Sequence, residues 1–394
     1  MRRLIVITSA ACLLNCADAS ASTPSSTVSP LSVVAPATSA ISARFADGFI
    51  IRYRTGSIER TNLAAANNTV SAIGSRAKLA STGVGVAPGL VTVRKLATGE
   101  QLVRTSKALS PQQFSAVLAA IRADPAVAYA EPNIIMHPTR DEVRYVVAPG
   151  TTPDDPLFSY QWHLRAPDGH AEKTEQDPSK LYSDYGGIDV VPAWRYADGS
   201  KITVAVIDTG ITNHPDLDTG LAPQGYDFVS SAFMSGRAAD GRIPGGWDPG
   251  DWTTEGKYLG INGGCADPQT QRDSGWHGTH VAGTIAMRTN NTVGLAGIAP
   301  SARILPVRAL GHCGGSSADI ADAIVWASGG HVDGVPDNAN PAQIINMSLG
   351  GEGNCSGDSV TANAIASALS RGTTVVAAAG NDNIDAFNST PASC

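Results

Sequence analysis

Long apolar runs, runs of basic residues and closely spaced cysteine pairs are all missing from this 394-residue chain. No segment approaches about 18 consecutive apolar residues, so nothing reads as a membrane span and the mature product is expected to be soluble, with no membrane partner. Basic residues never form a run, which argues against a nucleic-acid partner. The absence of a Cys-x-x-Cys spacing disfavours a zinc-thiolate site. Charged residues are few, at 16%, while a hydrophobic share of 42% is ordinary for a globular protein, so the length holds a sizeable core and more than one domain.

What is present begins with a leader. Met1-Arg2-Arg3, an apolar run from Leu4 to Leu14, and then Ala17-Asp18-Ala19 and Ala19-Ser20-Ala21 follow the charged, apolar and cleavable order of a secretory signal, placed at residues 1–19. A lipoprotein signal fits less well, because Cys12 lacks a leucine three residues before it and Cys16 follows Asn15 rather than a small residue. The product is therefore expected to be secreted, extracellular or periplasmic. Removing the leader leaves Cys265, Cys313, Cys355 and Cys394, an even count that in an exported chain points to disulfides. Of the possible pairings, Cys265 with Cys313 and Cys355 with Cys394 is preferred. The first would tie loops on either side of a histidine-bearing helix, and the second would fasten the chain end.

Residues 20–43 are rich in Ser, Ala, Thr and Pro and read as a flexible linker. Order starts near Arg44. Strands are expected at Gly48–Arg54, Leu90–Leu96, Gln101–Ser106 and Val127–Ala130, with a helix over Leu63–Leu79. A second helix opens with Ser110 as cap, Pro111 at its first position and Gln113 closing a capping box. This two-helix, four-strand unit spans 44–140 and carries 12 Lys+Arg against 5 Asp+Glu, whereas residues 141–394 carry 14 against 29. Fields of opposite sign favour association of the two parts. Residues 132–150 show Pro, charge and no periodicity, and read as a processing region.

Beyond residue 154 apolar strands alternate with helices. Strands are expected at Ile202–Ile207, Ile304–Val307, Gln343–Met347 and Thr373–Ala378, and helices from about His277 to Met287 and over Ser317–Ala327 and Ser359–Leu369. Such alternation implies a parallel sheet with helices on both faces, whose functional groups gather past the carboxyl ends of the strands. Asp208 and Asn381 fall there. A carboxylate directly after Val204-Ala-Val-Ile207 needs hydrogen bonds or a cation to be buried. His277 and His280 open a helix whose dipole disfavours extra positive charge and keeps a histidine neutral, ready as a base. A zinc site of the His-Glu-x-x-His kind is excluded by Gly278 after the first histidine.

The run Lys201-Ile-Thr-Val-Ala-Val-Ile-Asp208-Thr-Gly-Ile, the block His277-Gly-Thr-His280-Val-Ala-Gly-Thr and the run Val375-Val-Ala-Ala-Ala-Gly380-Asn381 resemble, in this order, the subtilisin-like serine proteases. The resemblance implies an α/β subtilisin-like fold over 141–394, incomplete at its C-terminus, preceded by a small ferredoxin-like α/β propeptide that acts as intramolecular inhibitor and chaperone. It assigns His277 as general base, Asp208 as the group that orients it, Asn381 as an oxyanion donor, and His280 to a structural role. Gly314, Gly315, Ser348, Leu349 and Gly350 are expected to line a cleft for extended peptides, with Ala378, Ala379 and Gly380 as a wall of the main specificity pocket. Structural calcium is implied near Asn290–Leu295, with Asp155, Asp216 and Asn291 as oxygen ligands.

Gly241–Gly264, carrying Asp248 and Asp251 within Trp-Asp-Pro-Gly-Asp-Trp, lengthens the interval between Asp208 and His277. A solvated loop is preferred there to a second metal site. No serine stands in the Gly-Thr-Ser-x-Ala-x-Pro context that the family uses for its nucleophile. The expectation is thus a secreted serine endopeptidase acting on proteins or peptides, with no proteolysis by the chain as written. The alternative is a non-catalytic remnant that binds peptides or inhibits a protease.

Overall fold

The computed structural model describes residues 5–7, 48–76, 89–106, 108–138, 153–167, 171–173, 181–183, 186–259, 264–265 and 271–394. Most of the expected leader, the linker at 20–43 and residues 139–150 of the expected processing region lie outside the described residues.

The amino-terminal unit runs β1 (Gly48–Tyr53), α1 (Leu63–Arg76), β2 (Leu90–Lys95), β3 (Gln101–Thr105), α2 (Pro111–Arg122) and β4 (Val127–Pro132). Its strands form an antiparallel sheet in the order β2-β3-β1-β4. The capping box is in place: Gln113 N–H donates to Ser110 Oγ at 3.3 Å and Ser110 N–H to Gln113 Oε1 at 2.9 Å. The unbroken apolar run in β1 has a simple cause. Phe49, Ile51 and Tyr53 point into the core made with Val70, Ile73, Val117 and Ile121 of α1 and α2. Ile50 points the other way, with Leu102 of β3, into a core shared with the rest of the chain. A sheet covered on both faces reads as continuous rather than alternating hydrophobicity.

The larger unit contains β6 (Thr203–Asp208), β7 (Tyr226–Asp227), α3 (His277–Ala286), β8 (Arg303–Arg308), α4 (Ser317–Ala327), β9 (Ile344–Met347), α5 (Ser359–Ser370) and β10 (Thr374–Ala378). A short strand Ile5–Ile7 leads its sheet, followed by β10, β9, β6, β8 and β7, all parallel, with Ile243–Pro244 antiparallel at the far edge. Period-two alternation sorts β6 between two helical layers. Val204 and Val206 pack with Ala282 and Ala286 of α3, whereas Ala205 and Ile207 pack with residues of α4 and α5 such as Ile320, Ile324 and Ile365. The expected parallel sheet with helices on both faces is therefore the observed fold.

The two units meet through charge as well as apolar surface. Arg94 of β2 pairs with Asp319 of α4 at 3.0 Å and with Asp322, while Arg242 from the Asp-to-His interval reaches the same two carboxylates at 2.8 and 2.9 Å. Burial opposes ionisation of Asp319, but Arg242 and Arg94 outweigh it and hold its carboxyl below the usual range. Both preferred cysteine pairs are formed, Cys265 with Cys313 and Cys355 with Cys394.

Candidate active site

Asp208 closes β6 at the carboxyl end of the sheet and is fully buried. Burial there demands partners, and several are present. Thr209 N–H donates to its Oδ1 at 2.7 Å, and His277 Nδ1 lies 2.9 Å from both carboxylate oxygens. A carboxylate only accepts, so the shared proton belongs to Nδ1 and the basic lone pair of the ring is on Nε2. That tautomer is the one a general base requires.

Glycine makes the approach possible. His277 is the first residue of α3, and a Cβ on Gly278 would collide with the Gly210 carbonyl oxygen and stand 3.2 Å from Asp208 Cβ. Gly210 itself has φ +95°, a left-handed conformation suited to glycine. His280 lies on an exposed position of the helix's next turn.

The interval that was expected to be a solvated loop is tucked against this pair. Asp248 and Asp251 are 7% and 1% exposed. Thr209 Oγ1 donates to Asp248 Oδ2 at 2.6 Å and accepts the Gly278 N–H at 3.0 Å, and Gly250 N–H donates to Asp248 Oδ1 at 2.8 Å. Asp251 Oδ1 accepts the Gly275 N–H at 2.7 Å, and Asp251 N–H donates to Ser274 Oγ at 3.1 Å. Burial pushes the Asp248 carboxyl up to about 6, against the hydrogen bonds from Thr209 and Gly250. The expectation failed because Gly, Pro and Asp together look like a turn facing water. Here the two aspartates supply carboxylates to the Thr209 hydroxyl just after Asp208 and to the Gly275 N–H just before His277. The available signal was the threonine after Asp208, a hydroxyl in a buried position that needs an acceptor.

A further strand was missed. β5 (Ile135–Pro138), inside the stretch read as a processing region, is extended and pairs antiparallel on both sides. Met136 faces Gly315 and Ile135 faces Ser316; His137 faces Gly350 and Pro138 faces Leu349. Gly315, Leu349 and Gly350, expected to line a peptide cleft, thus border an extended segment, with Met136 fully buried. Gly314 turns just ahead of it at φ +86°. Ser348 Oγ accepts from Asn346 Nδ2 at 3.0 Å. Ala378 ends β10, Ala379 and Gly380 are partly buried, and Asn381 is exposed beyond them. Because β10, β9 and β6 are parallel, Asn381 emerges at the same end of the sheet as Asp208.

Asp155, Asp216 and Asn291 come together around one loop. Asn291 Nδ2 and Leu295 N–H donate to Asp216 at 2.8 and 2.9 Å, and Asn290 N–H donates to Asp155 Oδ2 at 2.9 Å. Among the described residues no group of three or more His, Cys, Asp or Glu is disposed to hold a metal. The remaining oxygens of the three side chains also accept from the loop, Asp155 Oδ1 from Asn291 N–H at 3.3 Å and Asn291 Oδ1 from Val293 N–H at 2.9 Å.

Residues 199–394 match the subtilase family model. The chain is 44% identical over 348 residues to an extracellular protease of Xanthomonas campestris pv. campestris, a match covering 88% of this chain and 52% of the relative. It is 36% identical over 349 residues to the extracellular basic protease of Dichelobacter nodosus, covering 88% and 50%. Among solved structures it resembles a protease of Pseudoalteromonas arctica PAMC 21717, with TM-score 0.51, 46% identity and coverage of 61% and 62%. Fervidolysin from Fervidobacterium pennivorans, at 20% identity and TM-score 0.51, shares the fold over 87% of this chain and 41% of that one. The chain spans about half the length of the two extracellular proteases it matches.

Proposed function

We propose that this chain, which belongs to the subtilase family of serine proteases through residues 199–394, supplies the base, its orienting carboxylate and the substrate groove of a secreted endopeptidase. The observation that carries this reading is the Asp208–His277 pair at 2.9 Å, at the end of a parallel sheet. In that role His277 Nε2 takes the proton of an attacking hydroxyl and returns it to the leaving amine, while Asp208 holds the tautomer and stabilises the imidazolium. Asn381 donates to the oxyanion. The hydroxyl comes from a serine in a Gly-Thr-Ser-like segment, which residues 1–394 do not contain. Substrate peptides pair as an added strand with Gly315 on one side and Leu349 and Gly350 on the other, the position held by Ile135–Pro138. The amino-terminal unit is then an inhibitory propeptide that occupies the groove. Export by a leader is supported by the relatives named extracellular. Calcium at Asp155, Asp216 and Asn291 steadies the loop after α3.

The test compares the 394-residue chain with a chimera continued through the corresponding carboxyl-terminal half of the Xanthomonas relative. Casein cleavage by the chimera alone, lost in His277→Ala, is the expected result. Turnover by the 394-residue chain itself would refute the assignment of the nucleophile. A folded, inactive chimera that still binds peptides would favour the second reading, a non-catalytic peptide-binding or protease-inhibiting remnant, which the occupied groove also supports.

A further inference from the structure

The interval between Asp208 and His277 sends a carboxylate to the residues beside each member of the pair. Asp248 reaches the residue after Asp208: its Oδ2 accepts from Thr209 Oγ1, and that same oxygen of Thr209 accepts the N–H of Gly278, the residue after His277. One buried hydroxyl thereby joins the end of β6 to the first turn of α3. Asp251 reaches the residues before His277: its carboxylate accepts from the Gly275 N–H, and its backbone N–H donates to Ser274 Oγ. Between Gly275 and His277 stands Trp276, held at φ 48°, a left-handed conformation unusual for a bulky side chain. Backbone bonds fasten the loop in turn: Ile211 N–H donates to Gly246 O at 3.0 Å and Asp248 N–H to Ile211 O at 2.9 Å.

We propose that Asp248 and Asp251 are positioning residues, which fix the approach of His277 to Asp208 through Thr209 and Gly275. The inference rests on the reading of Asp208 and His277 as orienting carboxylate and base. Neither aspartate is hydrogen-bonded to the pair itself; Asp248 holds the Thr209 hydroxyl on one side of it and Asp251 the Gly275 N–H on the other. One hydrogen bond donated and one accepted by a single hydroxyl leave Thr209 little freedom, and a helix start held by the N–H of its second residue cannot drift from the strand end.

The test is proton NMR of the Nδ1–H of His277 in the 394-residue chain, read as its exchange rate with water. Thr209→Val keeps the volume and removes the hydroxyl, and is expected to speed exchange at least tenfold, with Thr209→Ser restoring the original rate. Asp248→Ala and Asp251→Ala should act in the same direction, and Thr209→Val combined with Asp248→Ala should add little to either alone, because one chain of bonds is broken in each. Unchanged exchange in folded Thr209→Val overturns the proposal. So does a Thr209→Val chain that fails to fold while Thr209→Ser folds, since the hydroxyl would then serve the fold rather than the pair. Asp208→Asn is the control for the underlying reading: if it leaves the Nδ1–H signal untouched, the pairing of Asp208 with His277 fails, whatever Thr209 does.

Discussion

Glu131, at the end of β4, accepts the backbone N–H of Val360 at 2.9 Å and that of Ser359 at 3.0 Å, so a carboxylate from the amino-terminal unit closes the first turn of α5 in the larger unit. Asp358, also buried, caps the same helix from within, taking the Thr361 N–H. Two carboxylates therefore share one helix start.

This arrangement makes docking sensitive to pH. Burial, with Asp358 adding to it, raises the Glu131 carboxyl from 4.5 to about 7. A group whose value is raised in the docked state binds its proton more tightly there. Its contribution is thus fully present below about 4.5 and is lost as pH rises through 7. Urea unfolding at pH 5 and pH 8 should show the wild type losing on the order of 2 kcal/mol more than Glu131→Gln between those conditions. Equal losses would remove Glu131 from the account.

Gly278→Ala reverses the usual rule that alanine strengthens a helix. Its methyl group would strike the Gly210 carbonyl, a backbone atom that cannot rotate away. Overpacking of this kind costs about 1–3 kcal/mol, and here it would also drive His277 from Asp208. The expected result is a lower urea midpoint together with loss of the protected Nδ1–H of His277.

The Cys355–Cys394 bridge closes a loop with a sequence separation of 39. Loop-closure entropy gives it about 4 kcal/mol of stabilisation. Replacing both cysteines by alanine should lower the unfolding midpoint in proportion, and because Cys265–Cys313 remains in the variant, reduction should lower the wild-type midpoint by more than the substitutions do, and lower the variant's by the difference.

Calcium, if it occupies the loop that gathers Asp155, Asp216 and Asn291, should raise the thermal midpoint of the chain as its concentration increases. Chelation should reverse the shift, and Asp216→Asn should abolish it. A midpoint indifferent to calcium in the wild type would dismiss the site.

The legible parts of this protein are those with a local cause. Ser110, Pro111 and Gln113 announce α2 because a capping box is written within four residues. The apolar runs ending at Asp208 and Ala378 announce β6 and β10 because strands covered on both faces need nothing else. Asp208 and His277 were legible through their neighbouring motifs. What stayed hidden depended on partners remote in sequence. Ile135–Pro138 has a proline, a histidine and no alternation, and becomes a strand only because Gly315 and Gly350 offer backbone on either side. Asp248 and Asp251 read as solvated for the same reason: the donors that satisfy them, at Thr209 and Gly275, lie across a loop whose path the sequence does not describe.

The seat of Ile135–Pro138 has a consequence for any state in which that segment departs. The segments around Gly315 and around Leu349–Gly350 do not pair with each other; they are stitched into one sheet by the strand between them. Vacated, they would face each other as two bare edges, each a row of unspent amides and carbonyls. A groove of that kind has no comfortable empty form. Its adhesion to its own amino-terminal segment and its appetite for any other extended chain are then one property, and a change that weakens the first should be expected to blunt the second.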